Sequence, residues 1–218
     1  MAAIRILVVD DDPIMRMGLK VLIHQPPAFA VIGDAGDGES AIRTIEETTA
    51  DVVLMDLQMP RMGGVHATTE ITRRWPEVKV LVMTAFGSLD AIVPALRAGA
   101  SGYLLKGGTR AELMQAIRGV ANGTTVLEPR VTRQLVSSLH RAPRKEPESS
   151  ESEMLTPREA ETVAHLAQGM SNAEIAHAIN VSEATVKSHL GNVARKWRVR
   201  DRTQILIHAA EIGMIRLG

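Results

Sequence analysis

Residues 4–13 read IRILVVDDDP, a short and mainly apolar run that ends in three aspartates and a proline. Runs of this length and composition are typical of parallel strands that helices cover on both faces. Aspartates followed by proline are typical of a helix N-terminus. The same alternation of an apolar run and an amphipathic stretch occurs five times before residue 123. It predicts an α/β, doubly wound (βα)5 domain with right-handed crossovers.

The predicted strands and helices alternate strictly along this first part of the chain. The strands cover residues 4–9, 29–33, 52–55, 78–83 and 102–105. The helices cover residues 13–24, 40–47, 64–74, 90–98 and 109–122. In a parallel sheet of this kind, ligands bind beyond the carboxyl ends of the strands.

The chain has 218 residues and no cysteine, which excludes disulfides, thiolate metal sites and cysteine nucleophiles. The apolar run near the N-terminus is much shorter than a signal sequence or a membrane span. We therefore expect a cytoplasmic protein without membrane contact.

A linker is predicted between two domains. Residues 129–139 have the apolar spacing of one more amphipathic helix, and residues 141–153 read RAPRKEPESSESE. The second stretch has too little apolar surface to offset the entropy lost on ordering it. We expect a first domain at 1–123, a linker helix and flexible linker at 124–153, and a second domain at 154–218.

The second domain is predicted to be a small all-α unit with a helix-turn-helix. Its helices are expected at 157–167, 172–179, 183–197 and 202–212, and Thr156 and Ser171 each precede a Glu by three residues, as in a capping box. Only residues 180–182 separate the middle pair of helices, which is helix-turn-helix spacing.

The helix at 183–197 is the predicted DNA-reading helix. An apolar stripe packs one face, and a basic cluster near its end would suit phosphates, although such a cluster can also be a solvated helix end. The expected DNA contacts are Thr185, Lys187, Ser188, His189, Asn192, Lys196 and Arg200. Lys196 and Arg200 are assigned to phosphates, and Lys187 to a phosphate or a base. The last helix offers Ile205, Ala209 and Ile212 either as a dimer seam or as core packing.

Acidic, hydroxyl and ammonium side chains stand at the predicted strand ends of the first domain. Three aspartates (Asp10, Asp11 and Asp12) follow the first strand, and Asp56, Thr84 and Lys106 stand at the ends of the third, fourth and fifth. Carboxylates gathered in one crevice repel each other unless a cation joins them, and Mg2+ with oxygen ligands is the natural partner. Asp12 is expected to serve mainly as a helix cap.

Four motifs in the first domain resemble a two-component receiver domain of flavodoxin-like fold. They are VVDDDP at 8–13, LMDLQMPRMGG at 54–64, VMTA at 82–85 and GYLLKG at 102–107. Residues 155–204 resemble the LuxR-type helix-turn-helix DNA-binding domain. The whole chain outside the linker is thus similar to a NarL/FixJ-type response regulator.

The resemblance implies a role for each matching residue. Asp56 would accept a phosphoryl group from a sensor histidine kinase, and Lys106 would bind that group. The Mg2+ ligands would be Asp10, Asp11, Asp56 and the backbone carbonyl of Gln58. Thr84 and Tyr103 would form the switch pair, and phosphorylation would promote a homodimer that binds double-stranded DNA and regulates transcription.

The chain departs from the family pattern at three places. Asp12 stands where many members have His, which adds a negative charge beside the metal site. Trp197 and Arg198 replace a frequent Leu-Gly pair, so a residue with a Cβ must make a turn that glycine makes easily. Phe86 could shield a phosphorylated aspartate from water.

Two other functions fit parts of the pattern. A phosphohydrolase of the haloacid dehalogenase type also uses strand-end aspartates, Thr, Lys and Mg2+, but its nucleophilic Asp would lie on the first strand. A regulator that binds DNA constitutively, or in response to a small ligand, would leave Asp56 unphosphorylated.

Overall fold

The structure is a computed structural model that describes residues 2–24, 27–84, 89–123 and 154–214, without the side chains of 89–91. The chain divides into two compact units, residues 1–126 and residues 127–218. The predicted linker helix at 129–139, the linker block at 141–153 and Phe86 lie outside the described residues.

The first unit is a five-stranded parallel sheet with strand order β2-β1-β3-β4-β5. Helices follow the strands in strict alternation, as the sequence predicts, so the predicted (βα)5 fold is confirmed. The elements are β1 (Ile4–Val9), α1 (Pro13–Ile23), β2 (Phe29–Ala35), α2 (Gly38–Glu47), β3 (Val52–Asp56), α3 (Gly64–Arg74), β4 (Lys79–Thr84), α4 (Leu89–Arg97), β5 (Gly102–Leu105) and α5 (Arg110–Ala121).

The core of this unit lies on both faces of the three central strands. Every residue of β3 is buried, and the apolar residues of β1 from Ile6 onwards and of β4 are buried almost completely. Burial of each large aliphatic side chain contributes about 1.5 to 3 kcal/mol, so the middle of the sheet is the most strongly held part. Polar side chains at the ends of these strands, such as Asp56 and Thr84, are therefore attached to a firmly packed backbone.

Three strands end later than predicted, and β3 is one of them, because it continues past Met55 to Asp56, which pairs with Met83. β2 continues past Gly33 to Ala35, because its last residues stay in register with Val8 and Val9 of β1. β4 includes Thr84, which pairs with Leu105. Backbone pairing with a neighbouring strand therefore extends these strands beyond their apolar residues.

The second unit contains α6 (Pro157–Ala167), α7 (Asn172–Ala178), α8 (Glu183–Lys196) and α9 (Arg202–Glu211). Thr156 with Glu159 and Ser171 with Glu174 form the two predicted capping boxes, and Ser182 caps α8. Arg198 stands where many family members have glycine, and its φ of 52° shows that it makes the predicted left-handed turn. None of the described helices is long and apolar enough to cross a membrane.

Helix α9 belongs to the core of its unit. Ile205 and Ala209 are buried, with exposed fractions of 1% and 0%, and their neighbours Leu206 and Ile207 are buried as well. Of the two alternatives for this helix, the structure therefore supports core packing and not an exposed dimer seam at Ile205 and Ala209.

Candidate functional site

The carboxyl edge of the sheet brings four of the predicted groups together. Asp10 follows β1, Asp56 and Thr84 are the last residues of β3 and β4, and Lys106 follows β5. The Lys106 Nζ lies 2.7 Å from Asp10 Oδ2 and 3.2 Å from Asp56 Oδ1. Asp56 is 6% exposed, so most of its surface is shielded from solvent.

Asp10, Asp11 and Asp56 could hold a metal ion. One carboxylate oxygen from each of the three lies within 4.8 Å of the others, while Asp11 is exposed and the other two are buried. Three oxygen ligands with one side open to water are what Mg2+ prefers, because it retains several waters. Gln58 lies two residues after Asp56, on the exposed start of the loop that leads to α3, and its carbonyl as a ligand stays a prediction.

Burial and charge act in opposite directions on these groups. Burial raises the pKa of Asp56 above its ordinary value, and the Lys106 ammonium opposes this shift without cancelling it. Burial acts to lower the pKa of Lys106, but the hydrogen bond to Asp10 and the charges of both aspartates raise it overall. Because Lys106 is nearer to Asp10, we assign its ion pair mainly to Asp10. Asp56 is thus left as the carboxylate that most needs a further cation.

The predicted switch pair is in contact in this structure. Tyr103 on β5 is 4% exposed, and its hydroxyl forms a hydrogen bond with the Thr84 side chain. Burial raises the pKa of Tyr103, and the hydrogen bond that its hydroxyl oxygen accepts from Thr84 opposes this shift without cancelling it. A new acceptor at Asp56 would compete with Tyr103 for the Thr84 hydroxyl.

Close backbone packing fixes the loop after Asp56. The Gly64 amide donates to the Leu57 carbonyl at 3.1 Å, and a Cβ on Gly64 would overlap the Asp56 carbonyl oxygen. On the other side of the site, Asp12 caps α1 by accepting from the Ile14 amide at 2.8 Å, as the sequence predicts.

The sequence analysis did not identify two polar anchors beside the site. Arg16 donates to the backbone of the loop after β1 and pairs with Asp34 on β2. The buried Asp37 caps α2 and pairs with the exposed Arg61 of the loop after β3. No sequence pattern could have linked these residues, because each pair joins separate elements of the fold.

The pair of Asp37 and Arg61 leads to a prediction about acid stability. The Arg61 guanidinium and the Ser40 amide lower the pKa of Asp37 from 3.8 to about 2. Because the folded pKa is lowered, the stabilisation is complete above pH 4 and is lost as the pH falls towards 2. Asp37→Asn keeps a capping oxygen but loses the charge, so it should reduce the free energy of unfolding by about 1 kcal/mol at neutral pH.

Urea unfolding of the parent and of Asp37→Asn between pH 7 and pH 2 measures this difference. The gap in unfolding free energy should shrink below pH 4. A gap that stays constant down to pH 2 would contradict the assignment of the lowered pKa to Asp37.

The candidate DNA-reading face of α8 is only partly exposed. Lys187 and Ser188 are exposed, whereas Thr185, His189 and Asn192 are half-buried. The Thr185 hydroxyl is hydrogen-bonded to the Ser182 hydroxyl at 2.8 Å, and Asn192 accepts from Arg195 at 2.8 Å. Lys187 and Ser188 are thus the most accessible of the predicted contacts.

Two predicted phosphate contacts are engaged inside the second unit. The Lys196 Nζ lies 2.6 Å from a carboxylate oxygen of Glu159, which is 4% exposed, and also donates to the Met154 carbonyl. Arg200 is largely buried beside Asp201, and burial lowers its pKa. Binding of DNA phosphates by Lys196 and Arg200 stays a prediction, and it would require these side chains to leave their present contacts.

Replacing Lys196 and Lys187 separately should give different defects. Lys196→Met leaves the Glu159 carboxylate buried without its cation, so we expect a loss of about 3 kcal/mol in unfolding free energy. Lys187→Met should change the free energy of unfolding by less than about 0.5 kcal/mol. It should weaken binding to every duplex and reduce the slope of log affinity against log salt concentration by about one. Urea unfolding measures the stability of each variant, and DNA titrations at several salt concentrations measure its binding. Equal stability of the two variants would contradict a stabilising ion pair between Lys196 and Glu159.

Comparisons with known proteins match both units. Residues 6–118 match the family model for the response regulator receiver domain, and residues 153–209 match that for bacterial regulatory proteins of the luxR family. The chain is 36% identical to the transcriptional regulatory protein DegU of Brevibacillus brevis, covering 98% of this chain and 96% of DegU. It is 39% identical to LiaR of Bacillus subtilis, covering 94% and 96%. A crystal structure of a LuxR-family response regulator from Aurantimonas sp. SI85-9A1 matches 63% of this chain and 98% of its own, with 36% identity and a TM-score of 0.58.

Proposed function

The chain belongs to the two-component response regulators of the NarL/FixJ family, and from this premise we propose that phosphorylation of Asp56 controls its binding to DNA. Its curated relatives are transcriptional regulatory proteins, which sets the phosphohydrolase alternative aside. The observation that carries the proposal is that Asp56 lies with Asp10, Asp11 and Lys106 at one edge of the sheet.

The proposed reaction transfers a phosphoryl group from a histidine of a sensor kinase to Asp56. The Asp56 carboxylate oxygen attacks phosphorus while the bond from phosphorus to the imidazole nitrogen breaks. Lys106 would neutralise charge on the transferred oxygens. Asp10, Asp11, Asp56 and the Gln58 carbonyl would hold Mg2+, which supplies further charge neutralisation when bound.

A protein donor is supported by the outer face of α1. Ile14, Met17 and Val21 are spaced along one side of this helix and are 72%, 60% and 73% exposed. Exposed apolar stripes of this kind are typical of protein interaction sites. The helix starts directly after the acidic loop, so a kinase bound there would have its phosphohistidine near Asp56.

The proposed signal is a change in packing at the fifth strand. A phosphoryl group on Asp56 adds about 1.5 to 2 negative charges and acceptor oxygens for the Thr84 hydroxyl. Tyr103 would then lose its partner and rotate into the space that Thr84 leaves. This change would favour a homodimer whose LuxR-type domains bind double-stranded DNA in the cytoplasm and regulate transcription.

A DNA-binding titration tests the proposal. The probe is a labelled duplex selected from a random-sequence pool by the chain treated with acetyl phosphate and Mg2+. We expect that treatment to raise the affinity of the parent about tenfold and to leave Asp56→Asn unchanged. Equal affinities with and without acetyl phosphate would contradict the proposal and favour constitutive DNA binding.

A further inference from the structure

Arg16 on α1 connects the acidic loop after β1 to the neighbouring strand β2. Its Nη1 donates to the carbonyl oxygens of Asp10 at 2.7 Å and Asp11 at 3.1 Å, and its Nε donates to Asp34 Oδ2 at 2.9 Å. The guanidinium thus reaches two backbone atoms of the loop and one carboxylate of the sheet at the same time. Its planar fork suits this arrangement, because the donors have fixed directions.

Asp34 holds this guanidinium in place. Its second oxygen accepts from Lys20 Nζ at 2.7 Å, so the carboxylate is fixed between two cations of α1. The Arg16 side chain is 20% exposed, whereas that of Lys20 is 42% exposed. Among the described residues, Lys20 pairs with Asp34, and the hydrogen bonds to the carbonyls of the acidic loop come from Arg16. Arg16 is therefore the member of this cluster that transmits the position of β2 to the loop.

The direction of the loop determines where its carboxylates point. Asp10 Oδ1 accepts from the Asp12 amide at 3.0 Å, and Asp10 Oδ2 accepts from Lys106. Arg16 acts behind these carboxylates, on the carbonyls of the same two residues that could bind a metal ion. Groups that orient metal ligands without touching the ion commonly change metal affinity by about 10- to 100-fold.

We propose that Arg16, oriented by Asp34, is a positioning residue that fixes the loop of Asp10 and Asp11 for binding of Mg2+ at the phosphoacceptor site. The inference rests on the proposed function for the role of that site. It requires that loss of the Arg16 fork weakens Mg2+ binding, even where Asp10, Asp11 and Asp56 are all intact.

The test compares Arg16→Met with Lys20→Met in the full chain. Both variants remove one positive charge next to Asp34, but only the first removes the hydrogen bonds to the loop carbonyls. Isothermal titration calorimetry with MgCl2, without any phosphodonor, should show at least about tenfold weaker binding for Arg16→Met. Lys20→Met should stay within about twofold of the parent. Circular dichroism establishes that each variant is folded at the assay temperature.

Two further variants keep the test informative if Arg16→Met does not fold. Arg16→Lys keeps the charge but cannot reach both carbonyls and Asp34, so its Mg2+ affinity should also fall. Asp34→Asn leaves Arg16 present but less firmly oriented, and it should weaken Mg2+ binding to a smaller degree. A second readout is the rate at which acetyl phosphate phosphorylates the chain. In Arg16→Met, the Mg2+ concentration that gives half of the maximal rate should rise about tenfold, and the rate at saturating Mg2+ should stay near that of the parent.

Unchanged Mg2+ affinity in Arg16→Met or Arg16→Lys would overturn the inference. Equal weakening in Arg16→Met and Lys20→Met would overturn it as well, because the effect would then come from charge and not from the loop contacts. A parent that binds Mg2+ but accepts no phosphoryl group would contradict the proposed function alone.

Discussion

Lys106→Met is expected to lower the rate of phosphoryl transfer from acetyl phosphate to Asp56 by about two orders of magnitude. Removal of a single preorganised donor at a developing negative charge commonly has an effect of about 10² to 10³. Lys106 contacts both Asp10 and Asp56, and its ammonium is the cation nearest to Asp56 among the described residues. Its loss removes that stabilisation from the transition state.

The same substitution should also change the pH dependence of the reaction. Lys106 lowers the pKa of Asp56 against the effect of burial, so without it the pKa rises further. Because the ionised carboxylate is the nucleophile, the acid limb of the rate profile should move to higher pH. Initial labelling rates across pH at saturating Mg2+ measure both effects, with Lys20→Met as the control. A rate within twofold of the parent would show that Lys106 is not part of the reaction.

Gly64→Ala is expected to be among the most destabilising single-methyl substitutions in the receiver domain. The added Cβ would overlap the Asp56 carbonyl oxygen and come within 2.8 Å of the Leu57 Cα. Both are backbone atoms attached to the fully buried strand β3, so neither can move away easily. We expect a loss of about 3 kcal/mol, the upper part of the range for overpacking.

The neighbouring glycine provides a matched control. A Cβ on Gly63 meets no atom closer than 3.5 Å, and the backbone there has a φ of −69°, which any residue can adopt. In differential scanning calorimetry, Gly64→Ala should lower the receiver transition by about 10 °C, and Gly63→Ala by much less. The receiver transition is the one that Mg2+ raises. Similar shifts for the two variants would contradict the close approach of Gly64 to Asp56.

Much of the fold could be predicted because its signals are local. The apolar runs and the capping boxes at Thr156 and Ser171 each lie within a few residues of sequence, and the structure has them where they were expected. Strand-end positions then brought Asp10, Asp56, Thr84 and Lys106 to one edge, since parallel strands share a direction.

The residues that the sequence analysis missed or left open depend on contacts between distant segments. Arg16 meets Asp34 across two elements, and Lys196 meets Glu159, which lies 37 residues earlier in the chain. Ile205 has the spacing of a seam, but it is buried because the rest of α9 is buried with it. A periodic pattern identifies a face of a helix, but the packing of the other helices decides what that face meets.

Identification of the phosphorylated residue tests the central claim most directly. The chain is treated with acetyl phosphate with and without Mg2+, and intact mass and peptide mapping then locate the added group. We predict one phosphoryl group per chain, on Asp56, that forms only with Mg2+ and is absent from Asp56→Asn. A folded parent chain that takes up no phosphoryl group, or an Asp56→Asn chain labelled as fully as the parent, would contradict the account.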